Sequence, residues 1–399
     1  MIPTSPAQTS YDVVIIGGAV MGSSAAWWLA ANPDFAGSIL VVERDPSYAL
    51  ASTTHTNSCM RQQFSNELNI RISQFTAEFV NGFAGHFDDP DVGDLFTDFY
   101  GYLYLADGED FAAQLRRNQQ LQAAWGAGTR IMTPEEIAAA YPFYALDDIV
   151  CGSHNLVDEG YFDGGTMFDT WRRQARKLGA EYLSNEVVGI ELSDRRVTGV
   201  RLATGDTITC GTVVNAAGPR AVDVSRMAGF ELPVEPRKRY TFIFDAAEPL
   251  DRALPLTIDP SGVHMRSEGG AYLAGCPPLE DPGVDADDFV FDGDIWEDRV
   301  WPAIARRVPA FERVKVTSRW VGHYAYNTLD QNVIVGPHPE VANFVFMNGF
   351  SGHGLQQSPA MGRGVAEYIA YGEYRSLDLT PLGYQRVLDG EPFVEAAVI

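Results

Sequence analysis

The chain has 399 residues, is 46% hydrophobic, and carries 29 Lys plus Arg against 53 Asp plus Glu, a net charge of −24. That length exceeds one hydrophobic core and calls for two domains, and the acidic balance disfavours nucleic acid and anionic membrane surfaces as partners. Four cysteines, at 59, 151, 210 and 276, form no CxxC pair; they indicate neither a metal site nor a disulfide scaffold, and a reduced, cytoplasmic setting. Residues 1–10, polar and Pro/Ser-rich, read as a loose tail rather than a signal peptide, and no apolar run approaches a membrane span.

Residues 13–16 are an apolar, β-branched run, the pattern of a strand buried on both faces. Gly17, Gly18, Ala19, Val20, Met21 and Gly22 make a tight turn. Residues 23–31 form a helix rich in small side chains, and residues 39–42 a second buried strand ending at Glu43. This strand–turn–helix–strand unit is the pattern of a dinucleotide site. Glycine lets backbone N–H groups approach a pyrophosphate, the helix N-terminus supplies positive partial charge, and Gly22 lets the helix pack close to the strand. Glu43, 21 residues past Gly22, is placed to accept hydrogen bonds from a ribose, which argues against a 2′-phosphate and so against NADP. Ala19 stands where the pattern has its middle glycine; it keeps the N–H and adds one methyl.

Residues 46–63 are a polar loop expected to pass near the cofactor. Arg61 is an isolated charge in it, either half of a surface ion pair or an anion-binding arginine. Residues 66–83 read as a helix from the spacing of Leu68, Ile72, Phe75, Phe79 and Phe83, residues 95–106 as an aromatic β segment, and residues 109–125 as an amphipathic helix. Thr133-Pro134-Glu135-Glu136 opens a further helix with a capping box. These elements begin a second, antiparallel domain inserted into the first. From residue 163 the α/β pattern returns: a helix at 166–178, β segments at 186–192, 198–203 and 207–209 with a turn at Gly205-Asp206, and a buried strand at 212–219 ending in small residues. Residues 239–244 form a strand, and 262–266 and 271–274 a hairpin that puts His264 and Arg266 on one face. The acidic loop 280–294 reads as solvated surface, 294–307 as a helix, and 318–326 as a strand on which Tyr324 and Tyr326 share a face. Last come a strand, a Gly-rich turn and a helix at 355–371, whose N-terminal dipole suits an electron-rich ring.

The stretches IIGGAVMGSSAA, VVERD, VVNAAGP and NGFSGHGLQQSPAMGRGVAE resemble the FAD-dependent amine and amino-acid oxidoreductases, the D-amino-acid oxidase superfamily. GFSGHG together with RQQFS is similar to its monomeric sarcosine oxidase and iminodiacetate oxidase branch. The resemblance runs from residue 11 to about residue 371. It implies an α/β fold: a Rossmann-type FAD-binding domain (residues 11–90, 145–230 and 327–399) interleaved with an antiparallel-sheet, α+β substrate domain (residues 91–144 and 231–326). It implies FAD contacts from the turn Gly17 to Gly22, from Glu43, Arg44, Ser52, Thr53 and Thr54, and from Val187, Val188, Ala216, Ala217 and Gly218. Gly349, Ser351, Gly352, His353, Gly354, Leu355 and Gln356 complete the set, with no metal.

The implied reaction oxidises a C–N bond beside a carboxylate in a small, N-substituted amino acid bound as the free amine. Hydride passes to flavin N5, the imine hydrolyses to an oxo acid and an amine, and O2 is reduced to H2O2. Arg61 and Arg266 are expected to pair the carboxylate, with His353, His264, Tyr324 and Tyr326 lining the pocket. Two arginines suit a dicarboxylate such as iminodiacetate better than sarcosine. Three positions depart from sarcosine oxidase. Its flavin-linking Cys falls at about His323, which implies non-covalent FAD. Its flavin-face Lys falls near Tyr272 and a second Lys at Gln356, which keeps a dehydrogenase with another electron acceptor open. A non-catalytic FAD-containing assembly factor is the remaining alternative.

Overall fold

The computed structural model describes residues 2–396. Residue 1 of the expected tail and residues 397–399 of the expected third FAD-binding segment lie outside the described residues. Ser10–Ile16 lies inside an eight-stranded sheet, parallel to Ile39–Glu43 on one side and to Thr207–Asn215 on the other. Glu181–Ser184 extends the sheet beyond Ile39–Glu43, and Val341–Asn348 runs parallel to the second half of Thr207–Asn215. Both faces of this parallel core are covered, so Val14, Ile15, Val213, Val214, Val345 and Phe346 are all fully buried, which is why these strands read as continuous apolar runs. The expected strands at 207–209 and 212–219 are one strand that ends at Asn215 and gives way to the 3-10 turn Gly218–Arg220. Gly211 presses its backbone against Asp12 without interrupting it.

Helix Val20–Ala30 begins three residues earlier than expected, directly on the glycine turn. It crosses the later helix Gly354–Tyr371 where Ser24 meets Gly362, and a Cβ at residue 362 would run into the Ser24 hydroxyl. Ser24 Oγ donates to Ser358 O at 2.7 Å across the same crossing. Pro359 removes the usual donor to Leu355 O, and Ser358 Oγ replaces it at 2.7 Å. Helix Glu67–Asn81 is capped by the Asn66 side chain, and the chain continues past it as the 3-10 turn Phe83–His86.

The second eight-stranded sheet is ordered Val314–Asn327, Val234–Ala246, Ala271–Cys276, His264–Glu268, Leu256–Ile258, Tyr102–Ala106, Cys151–Asn155 and Arg130–Met132. It is mixed rather than antiparallel: Leu256–Ile258 and Tyr102–Ala106 run parallel. These two strands come from distant parts of the chain with no hairpin to force alternation. The expected β segment at 95–106 breaks at Gly101, where φ is +89°, into Thr97–Asp98 and Tyr102–Ala106. The expected helix at 294–307 is a π turn, Trp296–Val300, followed by Trp301–Arg307, with Pro302 at the junction where it donates no N–H. Along Val234–Ala246, Tyr240, Phe242 and Phe244 enter a core with Met265, Ala274 and Val300. Arg239 and Thr241 therefore face the other way.

The acidic segment 280–294 is solvated, with none of its residues buried, but four of its carboxylates are paired. Asp288 and Asp292 hold the buried Lys238 at 2.8 and 3.1 Å, Asp281 pairs with Arg239 at 2.8 Å, and Asp287 pairs with Arg220.

Candidate active site

A cavity of about 370 Å³ is lined by residues of both sheets. At one end lies the glycine turn. Gly17 has φ of +97°, which a side chain would strain, and a Cβ at Gly22 would run into Gly17 O. Gly18 N donates to Glu43 Oε2 and Asp45 N to Glu43 Oε1, both at 2.8 Å. A carboxylate offers about four lone-pair positions, so two remain for ribose hydroxyls. Burial raises the Glu43 carboxyl above its ordinary value, against the pull of those two N–H donors.

Gly17, Ala19, Val20, Met21, Glu43 and Arg44 line the cavity, as do Ser52, Thr53 and Val187. Ala216, Ala217, Gly218 and the run Ser351, Gly352, His353, Gly354, Leu355 and Gln356 do as well. Five expected contacts do not. Gly18 and Gly22 lie behind the turn, where they admit close packing, and Gly349 packs against Asn327 and Val234. Thr54 turns its hydroxyl to Tyr48 O at 2.7 Å. Val188, one residue along the strand from Val187, points to solvent and is 40% exposed.

At the other end Arg61 follows the short strand Cys59–Met60 and is buried. Its backbone N donates to Gln356 Oε1 at 2.8 Å, and its guanidinium stacks 4.5 Å from the Phe64 ring centre. Burial works against its charge, but Tyr104, Tyr102, Glu395 and Glu159 outweigh that and raise its pKa. Arg61 Nη2 donates to His353 Nε2 at 3.0 Å, so the imidazole is an acceptor there and carries its proton on Nδ1. Burial, then the adjacent guanidinium, hold His353 well below its ordinary value, and the ring is neutral. His264 is neutral for the same kind of reason: burial first, with Arg266 and Arg239, pushes it down to about 4. Its Nε2 accepts from Asn57 Nδ2 at 2.8 Å. That leaves His264 Nδ1 and Asn57 Oδ1 buried without hydrogen-bond partners among the described residues.

Arg266 and Tyr326 are corrections. Arg266 does not line the cavity; its terminal nitrogens donate to Ser267 O at 2.8 Å and Asn57 O at 3.0 Å, and it pairs with Glu268. Tyr326 lies under Arg237 at 3.8 Å, outside the cavity, whereas Tyr324 lines it. Arg266 and Tyr326 are on the expected faces, but each stands two residues, roughly 7 Å, beyond the cavity residue that shares its face. Tyr272 packs on Phe244 and Phe311 in the core, with its hydroxyl accepting from Leu250 N at 2.8 Å. His323 does line the cavity, and its Nε2 donates to Asp288 O at 2.8 Å.

Sequence reasoning missed Arg239, which lines the cavity together with Arg44, Arg61 and Arg220. Its signal was present: charges at 237 and 239 alternate with Tyr240, Phe242 and Phe244 on one strand. Among the described residues no group of three or more His, Cys, Asp or Glu is placed to hold a metal ion, and no helix is long and apolar enough to cross a membrane.

The residues present fit a flavin dinucleotide. A glycine turn and the N-terminus of an 11-residue helix adjoin a carboxylate with spare acceptors, and the N-terminus of the 18-residue helix Gly354–Tyr371 opens on the same cavity.

The chain matches the family described as DAO, FAD dependent oxidoreductase, over residues 12–368. It is 38% identical over 424 residues to FAD-dependent oxidoreductase domain-containing protein 1 of Bos taurus, covering 97% of this chain and 87% of that protein. To the mitochondrial sarcosine dehydrogenase of Mus musculus it is 26% identical over 386 residues, which are 93% of this chain and 41% of that one. Among solved structures, L-proline dehydrogenase from P. horikoshii superposes with a TM-score of 0.84 at 25% identity, over 98% of this chain and 100% of that one.

Proposed function

We propose, from the premise that this chain belongs to the FAD dependent oxidoreductase (DAO) family, that it oxidises the C–N bond of a small amino acid bearing one carboxylate and a secondary amine, of the sarcosine type. The observation that carries this reading is the buried Arg61, fixed against His353 in the cavity wall. The dicarboxylate preference expected from two arginines loses its premise, because Arg266 is turned away.

FAD, when bound, supplies the two-electron acceptor. We assign it non-covalently to the part formed by residues 11–90, 145–230 and 327 onward, and the substrate to the part formed by 91–144 and 231–326. Gly17, Ala19 and the helix they introduce hold the pyrophosphate, and Glu43 the ribose. Arg61 binds the substrate carboxylate. Its backbone and its guanidinium are already held, so little side-chain freedom is lost on binding. Neutral His353 and His264 neither repel a cationic amine nor remove its proton, since His264 titrates at about 4 and His353 is also well lowered. The amine therefore arrives deprotonated, and kcat/KM rises with pH below the pKa of the substrate amine. The four cysteines are free, in keeping with a reducing compartment such as the cytoplasm.

The test is anaerobic bleaching of the flavin by sarcosine, dimethylglycine, iminodiacetate, proline and D-amino acids, followed by reoxidation with air or with an artificial acceptor. Fast reoxidation in air with H2O2 formed marks an oxidase; slow reoxidation marks a dehydrogenase. Denaturation should release intact FAD. Arg61→Ala should raise KM for carboxylate substrates by a factor equivalent to roughly 2–5 kcal/mol of lost binding. Efficient bleaching by an uncharged amine, with Arg61→Ala indifferent, would refute the reading.

A further inference from the structure

Arg239 differs from Arg61 in how its fork is used. Its guanidinium lies 4.5 Å over the Tyr324 ring, at the cavity wall. Its two terminal nitrogens grip both oxygens of Asp281, Nη1 to Oδ1 at 2.8 Å and Nη2 to Oδ2 at 3.0 Å. Nη1 also donates to Lys238 O at 2.6 Å. Of its five N–H groups three are used in this way, and Nε is buried and without a hydrogen-bond partner among the described residues. Asp281 does not line the cavity but reaches Arg239 from behind, and it also accepts from Arg237 at 3.4 Å, which pairs with Glu235 at 2.7 Å. Two arginines and two carboxylates therefore cancel at this wall.

We infer that Asp281 sets the charge of the substrate: by occupying both terminal nitrogens of Arg239 it denies the cavity a free bidentate fork, and the site rejects a second carboxylate. The inference rests on the carboxylate being bound at Arg61 as proposed above. The planar fork grips one carboxylate in bidentate fashion. A second carboxylate at Arg239 has to displace Asp281 or be buried beside it, and two carboxylates sharing one cation repel. Discrimination of this kind comes from an unfavourable term against the wrong ligand rather than a better contact to the right one. Asn at position 281 would keep the size and one acceptor oxygen, remove the charge and give Arg239 back to the cavity.

The test uses two ethers, methoxyacetate and diglycolate. They match sarcosine and iminodiacetate in shape, carry oxygen in place of nitrogen, and cannot be oxidised as amines. Each is titrated into the oxidised FAD-loaded protein, with Kd read from the flavin spectrum and by calorimetry. Wild type should bind methoxyacetate at least as tightly as diglycolate. Asp281→Asn should shift the ratio toward diglycolate by about tenfold. Asp281→Ser should shift it the same way, which covers the case in which Asp281→Asn does not fold. Glu235→Gln, which removes a charge that touches Arg237 but not Arg239, should keep the wild-type ratio. Adding Arg239→Gln to Asp281→Asn should abolish the shift. An unchanged ratio in both Asp281 variants, a shift that survives loss of Arg239, tighter diglycolate binding by wild type, or no binding by any of the proteins would each overturn the inference. The proposed function fails separately, if no amino acid bleaches the wild-type flavin.

Discussion

Glu159 is fully buried behind Arg61 and tied to three donors: Gln62 N at 2.7 Å, Asn155 Nδ2 at 2.8 Å and Gln63 Nε2 at 2.9 Å. Burial outweighs those donors and Arg61 and pushes its carboxyl up to about 7. A raised carboxyl favours the protonated form in the fold. Its stabilising contribution is complete below the ordinary value of 4.5 and is lost as pH rises through about 7. Glu159→Gln cannot ionise, so its stability relative to wild type should rise between pH 5 and pH 8, by about 3 kcal/mol at most. Any mismatch between the new amide and Gln63 acts equally at both pH values and drops out of the comparison. Thermal melts at the two pH values decide it: a constant gap would mean that Glu159 titrates in its ordinary range. Arg61 itself was legible because a lone charge in a neutral polar loop stands out. Arg239 is harder to read, because a charge at the start of a strand is equally at home in solvent, and only the alternation with Tyr240, Phe242 and Phe244 sets its face.

The strand, glycine turn and helix that open the fold were legible as a unit, since each of its residue types has one physical use there. The unit separates two substitutions. Gly22→Ala places a methyl on Gly17 O, forces the helix away from the turn and should abolish FAD retention. Glu43→Ala leaves the turn in place and removes only acceptors, so FAD affinity should fall about ten- to a hundredfold, the equivalent of roughly 1.5–3 kcal/mol. Titration of the apoproteins with FAD, with far-ultraviolet dichroism as the control, distinguishes them; unchanged affinity in Glu43→Ala would reduce Glu43 to a clamp on Gly18. Strand Cys151–Asn155 shows why other elements were illegible. Its sequence, CGSHN, has neither alternation nor an apolar run, yet all five residues are buried. Ser153 donates to Gln63 Oε1, His154 meets the Tyr141 hydroxyl, and Asn155 donates to Glu159. Its side chains are spent on a buried polar network, which a reading based on hydrophobic period does not register. Leu256–Ile258, at three residues, is too short to show a period at all.

At the scale of the whole molecule, the cavity is assembled from segments far apart in the sequence. The glycine turn comes from residues 17–22, the middle wall from Ala216 and Ala217, and the far wall from Arg239, Tyr324 and residues 351–356. Val341–Asn348 must find the second half of Thr207–Asn215 in parallel register, and Gly354–Tyr371 must then lock against Val20–Ala30 at Ser24. Pairings of such sequence separation form late, because loop closure precedes the contacts that reward it. During synthesis on the ribosome, the N-terminal unit therefore emerges long before the cavity it serves exists. Ribosome-arrested chains that end before residue 341 should therefore take up no FAD, whereas chains with residue 371 clear of the exit tunnel should. A group that binds the folded chain and not the unfolded one stabilises it by mass action, so the protein without flavin should melt at a lower temperature than the loaded protein, and its cellular abundance should follow the supply of flavin as well as the rate of translation.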